Sequence, residues 1–126
     1  MWLDDYARTV LAKFSFLESE YHFTIKEKRM ESYGYFLIYE KGLMSVRLGY
    51  EYMEERFSYI LKDETMNVMF WKFFTGFDPT INWLSLMPKG RNYEDAINLN
   101  VSLLKKYGHE FLLGEKSLSE LVSSLS

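Results

Sequence analysis

Apolar residues recur at Trp2, Leu3, Tyr6, Ala7, Val10, Leu11, Phe14 and Leu17. This is the three-four spacing that lines one face of a helix. It predicts a helix over 2–19, with Asp4 and Asp5 in the first turn, where the helix dipole favours negative charge. From Tyr21 the period changes to two. Phe23 and Ile25 alternate with His22, Thr24 and Lys26, which predicts a strand. The run YGYFLIYE, 33–40, sets Phe36 and Ile38 on one face against Tyr33, Tyr35, Leu37 and Tyr39 on the other. After a turn at Lys41-Gly42, Met44, Val46, Leu48 and Tyr50 share a face of the run 43–52, and RFSYILK, 56–62, alternates again. Connections this short imply an antiparallel meander, because parallel strands need long crossovers.

The stretch MFWKFFTGF, 69–77, fits both periods. TMNVMFWKFF, 65–74, is rich in β-formers and can pair with 56–62 as a strand, the reading preferred here. Met66, Met69, Phe70 and Phe73 also fit a helix face. Asp78-Pro79 has the form of a helix start, Asp as N-cap and Pro at the first helical position. A short helix there carries Ile81, Trp83, Leu84 and Leu86 and stops before Pro88.

The C-terminal part predicts helices. Asn92 is a candidate cap, and an apolar stripe runs from Ala96 and Ile97 to Leu104 and Tyr107. Gly108 interrupts it, and Gly114 ends it after Phe111, Leu112 and Leu113. Ser117-Leu118-Ser119-Glu120 is a capping-box pattern that opens a last short helix. Helix, strands, then helices predicts an α+β class: an N-terminal helix, an antiparallel meander of four or five strands, and C-terminal helices on one sheet face. No repeat divides the chain, so 1–126 is expected to be one domain.

Composition sharpens this in three ways. Aromatic residues reach 18% of the chain, with ten Tyr, ten Phe and three Trp. That supplies ample apolar surface for a core and argues against disorder. No cysteine is present, which excludes disulfides, thiolate nucleophiles and Cys-based metal sites and makes a reducing cytoplasm the expected compartment. The net charge of −3 disfavours broad nucleic-acid binding and is compatible with a basic protein partner without demanding one. No apolar run is long enough to span a bilayer, and the opening residues MWLDDYARTVLAKF do not predict a secretory signal. Asn100-Val101-Ser102 matches a glycosylation sequon but falls within a helical pattern.

Catalytic patterns do not emerge. His22 and His109 are the only histidines and lack metal-ligand spacing. There is no Gly-x-Ser-x-Gly elbow and no phosphate-binding glycine loop. No catalytic residue, metal or cofactor is therefore expected, and the protein is expected not to be an enzyme. The carboxylates Glu51, Glu54 and Glu55, followed by Asp63 and Glu64, flank a tight connection, where charge marks a solvated turn or a rim that faces a partner.

Two constellations remain. If helices cover the face with Phe36, Ile38, Val46 and Leu48, then Tyr35, Tyr39 and Arg47 stand on the other. Tyr and Arg are enriched at binding hot spots. With the acidic rim of Glu51, Glu54 and Glu55 they form the expected partner-binding surface. The alternative is a small-molecule pocket between helices and sheet lined by Tyr50, Phe70, Phe74 and Trp83. A third reading is a homodimer that buries the aromatic stretch itself.

The C-terminal LLKKYGHEFLLGEKSLSELV, 103–122, resembles the tail of small bacterial proteins that read LLKKYG, an apolar pair, Gly-Asp or Gly-Glu, and a short Leu-containing helix. In those, an N-terminal amphipathic helix precedes strands similar to GYFLIYEKGLMSVRLGYEY. Such proteins look like immunity proteins of bacterial toxin systems. The resemblance implies a protein partner, a toxin, blocked by binding. The matching residues, Tyr107-Gly108 through Gly114 with Glu115 after the glycine, are those of a helix and its cap. The resemblance therefore implies no functional residue.

Overall fold

Alternating and helical periods resolve into one sheet and one helical layer in the computed structural model, which describes residues 2–54, 56–88 and 93–125. The predicted first helix is divided: α1 spans Trp2–Lys13 and α2 spans Phe16–Ser19. At the break the Ser15 hydroxyl donates to the Ala12 carbonyl at 2.8 Å, the local bond by which serine competes with a helix ladder. Then follow β1 (Thr24–Glu31), β2 (Gly34–Lys41), β3 (Met44–Glu51), β4 (Arg56–Lys62) and β5 (Asn67–Met69). They form a five-stranded antiparallel meander in the order β1-β2-β3-β4-β5. This is the expected α+β class.

The aromatic stretch is helix from its second residue on, so the preferred strand reading of 65–74 holds only at Asn67–Met69. β5 ends at Met69, and α3 (Phe70–Phe77) begins at the next residue. Phe70, Phe73 and Phe74 are buried, and Phe77 is half-buried, its ring stacked on Tyr107 at 4.8 Å. Most of that ring surface is thus core. The predicted helix after Asp78-Pro79 starts later, as a 3₁₀ turn at Trp83–Leu86. Asn82 is its cap, accepting from the Leu84 N–H, whereas Asp78 accepts from Thr80 in a turn of its own.

The chain closes with α4 (Tyr93–Tyr107), α5 (His109–Leu112) and α6 (Leu118–Ser123). The expected capping box is formed: the Ser117 hydroxyl accepts from the Glu120 N–H, and the Glu120 carboxylate accepts from the Ser117 N–H. Gly114, with φ +78°, ends α5 as expected. Asn92 lies outside the described residues.

One face of the sheet carries the core. Tyr35, Leu37 and Tyr39 of β2, Val46, Leu48 and Tyr50 of β3, and Phe57, Tyr59 and Leu61 of β4 meet the helical layer. α1 contributes Leu3, Tyr6, Val10 and Phe14, α4 contributes Ile97 and Leu104, and α6 contributes Leu118 and Leu121. The Tyr6 and Tyr59 hydroxyls bond to each other within it. The other face of the sheet has no layer over it among the described residues.

Candidate binding face of the sheet

The β2–β3 hairpin decides which residues are available for binding. Its loop is the pair Gly42-Leu43, with φ +60° on Gly42 and no positive φ on Leu43, the sign pattern of a type II′ turn. A two-residue loop pairs Lys41 with Met44, and counting back pairs Tyr39 with Val46, Leu37 with Leu48 and Tyr35 with Tyr50. Directly paired residues share a face. The tyrosines therefore lie with the valine and leucine, under the helices.

This corrects the expected binding surface. Tyr35 is 3% exposed and Tyr39 is not exposed at all. Burial pushes the Tyr35 phenol up to about 12 and that of Tyr39 higher still, Glu18 and Tyr35 adding to the latter. Neither ring can touch a partner. Phe36 and Ile38, assigned to the covered face, stand instead on the open one. The sequence carried part of the signal: the hairpin loop length sets which residues of β2 and β3 share a face, but not which face the helices cover.

Tyr39 has a further feature. Its hydroxyl is fully buried and has no hydrogen-bond partner among the described residues. An unpaired buried hydroxyl costs free energy. Tyr39→Phe is expected to leave the unfolding free energy unchanged or raise it by about 1 kcal/mol. Urea denaturation checks this, and a clear loss of stability would show that the hydroxyl is satisfied.

Of the six expected contact residues, the open face keeps Arg47 and Glu51. Arg47 is exposed in the middle of β3, and Glu51 is half-buried at its end. Glu54 is exposed in the following turn and pairs with Arg56 at 3.1 Å. Glu55 lies outside the described residues. Asp63 is not part of this rim. It is buried and accepts four hydrogen bonds, one of them from α6.

Cross-strand pairing arranges the open face in rows. One row reads Glu27, Ile38, Arg47, Ile60 and Met69 across all five strands. The next reads Arg29, Phe36, Gly49 and Ser58. Gly49 and Ser58 keep the floor low between taller neighbours. A Cβ added to Gly49 would stand 3.3 Å from the Phe36 ring and 3.5 Å from the Ser58 Cβ. The result is a shallow trough of about 200 Å³ bordered by Phe36, Ile38, Arg47 and Ile60. The Arg29 guanidinium lies over the Phe36 ring at 4.7 Å and reaches Glu27 and Glu31, each at 3.3 Å.

The four residues of the alternative pocket are not brought together around a space. Tyr50, Phe70 and Phe74 are core side chains, with Tyr50 stacked on Phe57 at 4.4 Å and Phe70 edge-on to Phe74 at 5.5 Å. Trp83 is 46% exposed and leans on Trp71 at 5.7 Å. The void beside Phe70 measures about 20 Å³, room for one water molecule. Asn100, the sequon residue, is buried, and its amide donates to the Leu86 and Ala96 carbonyls.

No cluster of three or more histidine, aspartate or glutamate side chains suited to a metal occurs among the described residues. His109 Nδ1 and the Tyr21 hydroxyl share a bond of 2.8 Å. His22 is exposed just before β1, with φ 65°. No helix among the described residues is long and apolar enough to cross a membrane. Compared with protein families, curated proteins and solved structures, the chain matches none.

Proposed function

We propose that this protein is a non-enzymatic binding domain of the bacterial cytoplasm, which holds one protein partner against the open face of its sheet. Following the resemblance of its C-terminal stretch, the partner is a toxin, and the chain acts as an immunity protein that occludes it by stoichiometric binding. The supporting observation is the asymmetry of the sheet. One face is covered by helices over β2, β3 and β4, while the other presents Phe36, Ile38, Ile60 and Arg47 without a cover among the described residues. Apolar side chains around an arginine, rimmed by charge, are the composition of a protein-binding patch. Four full strands spaced about 4.8 Å apart and about 26 Å long offer a footprint of the order that standard interfaces use, roughly 800 Å² per partner.

The test is capture from lysate of the source organism with tagged wild type beside an Ile38→Asp variant, read by mass spectrometry. Ile38 is half-buried on the open face, so a charge there opposes docking while the core beneath is untouched. The expected result is one protein held stoichiometrically by the wild type and lost by Ile38→Asp, with the melting temperatures within a few degrees of each other. A partner retained by the variant would move the interface off this face. Absence of any stoichiometric partner would remove the binding reading.

A further inference from the structure

We infer that the element docking on the open face is an acidic amphipathic α-helix, whose carboxylates meet Arg47 and Lys62 while one large apolar side chain enters the Gly49–Ser58 trough. This rests on the open-face reading above and specifies the partner's chemistry. Arg29 is closed by Glu27 and Glu31, Arg56 by Glu54, and Glu40, in the same row as Lys62, is taken by Lys26 at 3.2 Å. Among the described residues, Arg47 and Lys62 have no ion pair. They lie on neighbouring strands in adjacent rows, Arg47 opposite Ile60 and Lys62 opposite Ser45. Diagonal neighbours of this kind stand roughly 7–8 Å apart, so two carboxylates on one helix face can serve both.

Arg47 is also set in apolar surroundings, with Ile38 paired to it on one side and Ile60 on the other. A carboxylate brought there is drawn out of water between two isoleucines, where a charge-assisted bond to a guanidinium is strong. On a protein with a net charge of −3, two neighbouring cations without an ion pair among the described residues, set on an apolar floor, select for an anion.

Shape selects a helix. The trough of about 200 Å³ falls below the roughly 300–1,000 Å³ of small-molecule pockets and suits one large side chain. A partner strand would add at a sheet edge rather than lie on a face. Of the two edge strands, β1 is charged from Lys26 to Arg29 and carries a bulge between Ile25 and Glu27, and β5 is three residues long; charge, bulge and shortness each discourage strand addition. Sheet faces are covered by helices or by second sheets. The trough is two residues from Arg47 along β3, about 6.7 Å, close to the rise of one helical turn.

The test uses two synthetic peptides of about 18 residues, long enough to form helix, each with a leucine face and with either glutamate or lysine on the polar face. Each is titrated into the ¹⁵N-labelled full chain. The glutamate peptide is expected to shift the amides of Ile38, Arg47, Gly49 and Ile60, and to bind at least tenfold more tightly than the lysine peptide. An Arg47→Glu/Lys62→Glu variant, both sites on the surface layer of the sheet, should reverse that preference. Equal binding of the two peptides, shifts elsewhere on the molecule, or no shifts from either would overturn the inference. Capture of the natural partner separates this from the broader reading. A partner lost by Ile38→Asp but kept by the charge-reversed variant leaves the open face as the interface and removes the acidic helix. A partner kept by both removes the interface itself.

Discussion

Replacing Phe70 by Ala is expected to cost about 3–5 kcal/mol of stability, the range for deleting a fully buried aromatic side chain. For a chain of this length that is a fall of roughly 10–20 °C in melting temperature. Phe70 is 2% exposed at the point where β5 turns into α3. Its ring lies 5.6 Å from Tyr59 on the sheet, 6.4 Å from Phe14 beyond α1, and 5.5 Å from Phe74 in its own helix. It thus joins its own helix to β4 and to the junction of α1 and α2, and its removal enlarges a void of only about 20 Å³ into one lined by rings. Thermal and urea unfolding read the loss. An apolar cavity large enough for a phenyl ring stays dry and takes up small aromatic molecules, so benzene should raise the melting temperature of Phe70→Ala and leave the wild type unchanged. A loss below about 1 kcal/mol would mean that the ring is not the centre of this core.

Asp63→Ala is expected to cost about 3 kcal/mol, by a different mechanism. One carboxylate oxygen of Asp63 accepts from the Thr65 N–H at 2.7 Å, the Thr65 hydroxyl at 2.5 Å and the Met66 N–H at 3.1 Å. The other accepts from the Leu118 N–H at 2.8 Å, at the start of α6. A single side chain therefore ties the β4–β5 connection to the last helix. Truncating it leaves several donors without their charged acceptor. The cost should concentrate in α6, so faster amide exchange at Leu121 and Val122 accompanies the global loss.

The pH dependence follows from the same bonds. Burial by itself would raise the Asp63 carboxyl, but the bonds from Thr65, Leu118 and Met66 outweigh it, and the net shift is downward. A carboxyl lower in the folded state than in the unfolded state stabilises above the unfolded value, near 3.9, and loses that contribution as pH falls through the folded value. The stability gap between wild type and Asp63→Ala should be full at neutral pH and shrink below about pH 4. Urea midpoints across that range read it, and a gap that widened in acid would contradict the assignment.

Local signals carried far in this chain. The predicted runs 33–40, 43–52 and 56–62 meet strands at Gly34–Lys41, Met44–Glu51 and Arg56–Lys62. Strict alternation and short polar connections are properties of neighbouring residues, and so are the Ser117 capping box and the glycine stop at Gly114. The aromatic stretch was harder to read, because Val68 faces inward from a strand and Phe70, Phe73, Phe74 and Phe77 follow at helical spacing. Both periods are present there, one after the other, and the change at Phe70 is marked by no glycine or proline.

What the sequence determined by itself was the α+β class and the antiparallel meander, since each follows from periodicity and connection length. The covered face of β2 was decided by the tertiary structure. Both faces of that strand are apolar, with Tyr35, Leu37 and Tyr39 on one and Phe36 and Ile38 on the other. Alternation distinguishes two faces but says nothing about which one receives the helices. That choice was made where the two-residue hairpin set Tyr39 beside Val46 and the helical layer, closing over Val46 and Leu48, took the tyrosines with them. The same choice left Phe36, Ile38 and Ile60 around Arg47 in the open.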